Sequence, residues 1–295
     1  MDTKQILVDA PEWEYEVTDG LIQRGVDLRV AGKPTIHFMH GTAFSGKFYW
    51  PCLHGFVPDY GLFMPDIQGH GDSDNGDGYP GWREVIARNL RIMEHFKVRS
   101  NGAPLYAMGH SYGASLTLIM AAENPDLFDG VVLLDAALMG EDAIRNKLPA
   151  DQDPHIRKVL GRKSQWPKLE NAKRFFQNRP DFQNWTEAAL ENYLIHAFNT
   201  DKKGGVSLKC PASIQASMYS ESLDTLWDSV RKIQTPTTLL YGDQTNPEFI
   251  KNCPLAAEMN SNIKAVQVKG SHNFMQEYPY ETFDAAKLAL EQMSS

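Results

Sequence analysis

Cysteine is scarce and does not fall into pairs. Cys52, Cys210 and Cys253 lie far apart with no CxxC spacing, which excludes a disulfide framework or a zinc site as the basis of the fold and fits a reducing compartment. Long apolar runs are missing as well. None reaches the roughly 18 residues that cross a bilayer, so no membrane insertion is expected. The opening Met1-Asp2-Thr3-Lys4-Gln5 lacks the basic start and apolar stretch of an export signal, and the reading is an unexported, cytoplasmic protein. Positive charge is in deficit, with 29 Lys and Arg against 37 Asp and Glu for a net −8, which argues against nucleic acid as a partner because phosphate binding needs a basic face. Fixed-period repeats and low-complexity tracts are absent, so solenoids and extended disordered segments are excluded.

What remains is a chain of 295 residues, 42% hydrophobic and 22% charged, enough to bury a large α/β core. From Lys33 onward short apolar runs alternate with helical patterns, the signature of a mostly parallel sheet. Thr35 to Met39, Gly61 to Met64, Leu105 to Met108, Val131 to Leu134, Thr237 to Tyr241 and Ile263 to Val268 read as strands. The stretch from Tyr112 to Glu123 is small or apolar nearly all round, which marks a helix buried against the sheet, ended by Asn124-Pro125. The final helix carries Phe283, Ala286, Leu290 and Met293 on one face.

Between about Leu138 and Asp228 the strand signal gives way to helical, polar and aromatic residues, among them Trp166, Phe175, Phe176, Phe182, Trp185, Tyr193, Phe198, Tyr219 and Trp227. This predicts an inserted helical cap over 138–228, between core segments 1–137 and 229–295. Most of these aromatics pack together, and a lid over a concave apolar site needs some of them to face a ligand. Charge is also uneven. From His155 to Arg179 eight basic residues face Glu170 alone, a net +7 against −15 for the rest of the chain. A solvated helical face accounts for such a stretch, and attraction of an acidic ligand or anionic surface is the alternative.

Gly109-His110-Ser111-Tyr112-Gly113 matches G-x-S-x-G, a pattern weak by itself and strengthened by its position between a buried strand and a buried helix. Side chains at the two glycines would collide with neighbouring backbone in such a turn. A serine hydroxyl needs a base within hydrogen-bond reach. His272 follows the last predicted strand and precedes the last helix, where it can cross the carboxyl edge of the sheet. His37 and His40 point to opposite strand faces and do not pair as a metal chelate. His70 and His110, beside glycines at the same edge, are assigned structural hydrogen bonds. Asp72 to Gly78 departs from a calcium loop in its glycine position and in Arg83 at the twelfth place, and reads as a polar surface loop.

These ordered motifs, from His40-Gly41-Thr42 through Asp66-Ile67-Gln68-Gly69-His70-Gly71-Asp72-Ser73 and Gly109–Gly113 to Gly270-Ser271-His272-Asn273-Phe274, resemble the α/β-hydrolase superfamily, specifically its lid-bearing esterase-like branch, over nearly the full chain. The resemblance implies an α/β-hydrolase fold with a mostly parallel central sheet flanked by helices and an inserted helical cap. It implies an oxyanion hole from the backbone amides of Thr42 and Tyr112, and a structural role for Asp66 in shaping the loop after its strand. The triad acid departs from the commoner pattern, because Thr245 occupies the usual place three residues beyond Gly242. Asp135, at the end of the preceding strand, is the first choice for the acid and Asp243 the alternate. The expected chemistry is cofactor-free and metal-free hydrolysis of a small-molecule carboxylic ester or related acyl compound through an acyl-enzyme on Ser111. Carbon-carbon bond hydrolysis on the same site and a hydrolase-like ligand sensor are the alternatives. Oligomeric state is not legible.

Overall fold

The computed structural model describes Leu7, residues 10–99 and residues 102–294; Met1 to Gln5, on which the expectation about export rests, lie outside them. Among the described residues eight strands form one sheet: β1 (Glu12–Thr18), β2 (Leu21–Asp27), β3 (Thr35–Met39), β4 (Gly61–Pro65), β5 (Leu105–His110), β6 (Gly130–Leu134), β10 (Thr237–Gly242) and β11 (Ile263–Val268). Their spatial order is β1-β2-β4-β3-β5-β6-β10-β11. Every pairing from β4 to β11 is parallel, while β1 pairs antiparallel with β2, and β2 with β4. Strands β3, β4, β5, β6 and β10 are buried along their whole length, which explains why they read as unbroken apolar runs rather than alternating ones.

The β1–β2 hairpin was not anticipated, although its pattern is in the sequence. Glu12, Glu14 and Glu16 alternate with Trp13, Tyr15 and Val17, the period of a strand with one wet face. Asp19-Gly20 makes the turn, with Gly20 at φ +71°. Trp13 closes this end of the core by stacking on Phe63.

The helix Ser111–Glu123 is buried continuously from Tyr112 to Ala121, as its composition predicts. The last helix, Pro279–Met293, buries Ala286 and Leu290 completely and packs Phe283 and Met293 against the same cluster. Among the described residues no helix is long and apolar enough to cross a membrane.

Between β6 and β10 lie several short helices, among them Pro154–Leu160, Leu169–Gln177, Glu187–His196 and Ala212–Ser220. This stretch is not purely helical. β7 (Gln165–Trp166), β8 (Phe198–Thr200) and β9 (Val206–Leu208) form a small antiparallel sheet in the order β7-β9-β8. Strands of two or three residues are too short to show a period of two, so composition alone does not reveal them. Trp166, Phe176, Phe182, Trp185, Tyr193 and Phe198 pack ring against ring in this region.

Candidate active site

Parallel strands deliver their carboxyl ends to one edge of the sheet, and the chemically distinctive residues follow those ends. β3 runs into His40-Gly41-Thr42, β5 into Ser111, β6 into Asp135, β10 into Thr245 and β11 into His272. The turn at Ser111 is tight. Its φ is +53°, a left-handed conformation that costs a non-glycine residue about 1–3 kcal/mol and persists only where packing imposes it. Packing does so here. A Cβ on Gly113 would lie 2.3 Å from the His40 carbonyl oxygen, and one on Gly109 would lie 2.8 Å from that of Gly113. Asp135 (φ +44°) and Ala43 (φ +67°) are held in the same region of backbone space, so strained backbone gathers around this edge.

The structure brings three of the predicted residues into a hydrogen-bonded line. Ser111 Oγ lies 2.9 Å from His272 Nε2, and His272 Nδ1 lies 2.6 Å from Asp135 Oδ2. Asp135 is completely buried. Its Oδ1 accepts from the Gly242 amide at 2.9 Å, and its Oδ2 also accepts from the Thr245 hydroxyl. A buried carboxylate needs this number of donors to offset its desolvation. Asp243 is not brought to the imidazole. It is exposed, and its Oδ1 accepts from the Gly270 amide at 2.8 Å, bracing the loop that carries His272.

Thr42 lines the cavity beside Ser111. Tyr112 is the second residue of its helix, so its amide is one of those a helix leaves without an internal partner, at the end where negative charge is favoured. Two positioning contacts were not anticipated. Thr245, noted in the sequence only as a departure, donates to Asp135. Tyr49 bridges the site: its hydroxyl accepts from the Gly41 amide at 3.0 Å and lies 2.7 Å from His110 Nδ1. His110 Nε2 then reaches the His272 carbonyl oxygen at 2.9 Å. This relay ties the ends of β3 and β5 to the loop after β11. Sequence carries no periodic signal for it, since Tyr49 lies on a short 3-10 turn.

The remaining histidines at this edge are structural. His40 donates from Nδ1 to the Gly41 carbonyl and accepts from the Ile67 amide at Nε2, both at 2.9 Å. His70 Nδ1 meets the Gln68 carbonyl at 3.1 Å. Burial, with the neighbouring His70 adding to it, pushes His40 down to about 3; burial pushes His70 down to about 4 and His110 well below the ordinary histidine value. Asp66, raised to about 6 by burial, accepts from the Gly46 amide at 2.8 Å and the Asp72 amide at 3.1 Å, which shapes its loop as expected. Asp72 and Asp74 are paired with Lys47, Lys209 and Arg24. Among the described residues no group of three or more His, Cys, Asp or Glu is placed to hold a metal ion.

Ser111 and His272 open into a cavity of about 820 Å³. Its floor is the sheet edge, with Thr42, Phe44, Thr245 and Asn273. Residues within 155–219 line it as well, including Phe175, Phe176, Phe182, Trp185, Tyr193 and Tyr219. Trp166 and Phe198, in the same aromatic cluster, pack behind this surface.

The fold and the arrangement at the sheet edge are those of an α/β hydrolase. The chain belongs to the family described as serine aminopeptidase, S33, whose model matches residues 31–246. Among curated relatives it is similar to lipase LipV of Mycobacterium tuberculosis, 27% identical over 118 residues that cover 38% of this chain and 43% of that protein. It is similar over a longer span to 2-succinyl-6-hydroxy-2,4-cyclohexadiene-1-carboxylate synthase of an Enterobacter strain, 24% identical over 84% of this chain and 88% of that one. The chain spans less than half the length of the first curated relatives it matches. Among solved structures, E-2-(acetamidomethylene)succinate hydrolase superposes with a TM-score of 0.78 at 14% identity, over 96% of this chain and 99% of that one. An esterase of M. tuberculosis gives 0.74 at 16% identity over 99% of each. At such identities the likeness shows the fold.

Proposed function

We propose that the protein is a serine hydrolase of carboxylic esters or related acyl compounds, with Ser111, His272 and Asp135 as its triad. The observation that carries this reading is the unbroken line from Ser111 Oγ through both imidazole nitrogens to a buried carboxylate, 2.9 Å and 2.6 Å. Ser111 Oγ attacks the substrate carbonyl carbon while His272 Nε2 takes the hydroxyl proton. Asp135, fixed by Gly242 and Thr245, holds the imidazole in the tautomer that accepts at Nε2 and stabilises the imidazolium that forms. The carbonyl electrons move to oxygen, where the Thr42 and Tyr112 amides receive the charge, each contributing about 2.7–4 kcal/mol by the size of comparable deletions. Collapse breaks the bond to the leaving alcohol, which takes the proton from His272. Water then repeats the sequence on the acyl-enzyme, releasing the acid and restoring Ser111. The residues 138–228 act in this reading as a cap that roofs the cavity and selects the substrate.

The names of the matched family and of the relatives include an aminopeptidase, a lipase, an esterase and a cyclohexadiene-carboxylate synthase, and the same triad serves carbon-carbon cleavage. Hydrolysis of p-nitrophenyl butyrate by wild type and by Ser111→Ala tests the proposal. The wild type is expected to show a burst of nitrophenolate and steady turnover. Ser111→Ala is expected to lose about 10³-fold or more in kcat. Full activity in Ser111→Ala sinks the mechanism.

A further inference from the structure

Half of the basic stretch has a place in the cavity. Lys158, Arg162, Lys163 and Arg179 line the same space as Ser111 and His272, with His155 beside them and Asp181 as an opposing carboxylate. Arg157, Lys168, Lys173 and Arg174 lie away from it, and Arg174 takes Glu170, the one acid of the stretch, into an ion pair. Three of the lining cations are held by aromatic rings or a backbone carbonyl rather than by a carboxylate. The Arg179 guanidinium lies 4.7 Å over the Phe175 ring, and Lys163 Nζ lies 5.6 Å and 5.8 Å over Trp166 and Phe175. Arg162 gives one Nη to the Cys210 carbonyl at 2.6 Å, while its Nε is buried without a partner. Cation-π contacts fix a charged head while leaving its outward side free for an anion.

A solvated helix face would scatter such charges over the outside, and four of eight do lie away from the cavity. The other four line the same cavity as the nucleophile in a protein whose net charge is −8. A molecule of that overall sign repels anions at long range, so a local basic rim on the cavity, with Lys158, Lys163 and Arg179 exposed and Arg162 half-buried, is what admits one. Phe44, Phe176, Phe182 and Trp185 line the same cavity. The lining thus combines a reacting hydroxyl, aromatic rings and a set of cations.

We propose that the cavity selects amphiphilic acyl substrates that carry an oxyanion, a carboxylate or phosphate, on the far side of an apolar spacer from the scissile bond, and that Lys158, Arg162, Lys163 and Arg179 bind it. This rests on the hydrolase reading above for the position of the scissile carbonyl. A carboxylate ending the acyl chain and a phosphate on the leaving group offer the rim the same chemistry, so two substrate pairs separate them. The first is mono-p-nitrophenyl adipate against p-nitrophenyl hexanoate; the second is hexanoyl coenzyme A against hexanoyl-N-acetylcysteamine.

The readout is the ratio of kcat/KM for the charged member to the neutral member, which cancels general losses of folded enzyme. A ratio of about ten or more is expected in one pair, carried mainly by KM and shrinking as salt is raised. Lys158→Gln with Arg162→Gln is expected to lower that ratio about tenfold, while Arg174→Gln, off the cavity, leaves it unchanged. A ratio near one in both pairs overturns the proposal, as does a ratio indifferent to the Lys158 and Arg162 changes. If none of the esters is cleaved, the hydrolase reading fails instead, and calorimetry of adipate and of coenzyme A with Ser111→Ala protein decides the anion site separately. Binding that weakens about tenfold on the double change upholds it; no measurable binding overturns it.

Discussion

Asp135→Asn is the sharpest probe of the line of hydrogen bonds at the sheet edge. Three donors converge on the two oxygens of this buried group: Gly242 N–H on Oδ1, and His272 Nδ1 and the Thr245 hydroxyl on Oδ2. An asparagine offers one acceptor and one donor in the same volume. Turned one way, its oxygen keeps His272 and Thr245, but its NH₂ meets the Gly242 amide donor to donor, which costs about 1–3 kcal/mol of stability. The imidazolium of the transition state then lacks a counter-charge about 4 Å away, worth about 4 kcal/mol at an effective dielectric of 20, or about 10³ in rate. Turned the other way, NH₂ faces Nδ1, the ring proton moves to Nε2, and the ring no longer accepts from Ser111; such a tautomer error costs about 10⁴.

Either orientation predicts a fall in kcat of about 10³–10⁴ on p-nitrophenyl butyrate, with circular dichroism reporting a folded protein. Asp243→Asn keeps an amide oxygen to accept from the Gly270 N–H, removes only an exposed charge, and is expected to stay within about threefold of wild type. Activity of Asp135→Asn within tenfold of wild type, or an equal loss in Asp243→Asn, refutes the assignment of the acid.

Thr245 stands where the resembling family commonly carries its acid, and its hydroxyl already touches Asp135 Oδ2. Asp135→Asn combined with Thr245→Asp is therefore expected to recover about 10–100-fold of the activity lost in Asp135→Asn; no recovery in a folded double variant means a carboxylate at 245 does not reach Nδ1. Acid should destabilise the protein between pH 7 and pH 5. Burial pushes His37 and His70 down to about 4, and burial with neighbouring His70 pushes His40 down to about 3, while unfolded histidines titrate near 6.5. The unfolded chain thus binds protons that the folded chain refuses, and stability is lost as pH falls from about 6.5 toward 4. At pH 5 each group contributes up to about 2 kcal/mol of loss, together up to about 6 kcal/mol against the 5–15 kcal/mol of a typical domain. Urea midpoints that do not change between pH 7 and pH 5 contradict it.

What was legible in the chain follows from where side chains meet water. Strands β3, β5, β6 and β10 are buried on both faces, so their sequences are mostly apolar, with Thr and His37 the exceptions, and their ends are punctuated by Gly, Asp or His; both the strands and the residues after them could be placed. The Ser111 elbow was legible because its glycines answer to backbone contacts under 3 Å, which no other residue type satisfies. The β1–β2 hairpin has an equally clear alternation of Glu with Trp, Tyr and Val in β1, a pattern unlike the apolar runs of the central strands because the edge strand keeps one wet face. The acid remained open between Asp135 and Asp243 for a different reason. Both follow parallel strands that are direct neighbours, so linear order cannot rank them; the difference lies in burial and in the left-handed backbone at Asp135, which are products of packing. The Tyr49–His110 relay lies further still from sequence. Its members are 61 positions apart, and the bond exists because two loops share an edge. Local patterns thus specify which chain ends reach the edge, and only the close-packed sheet specifies which groups touch once they arrive.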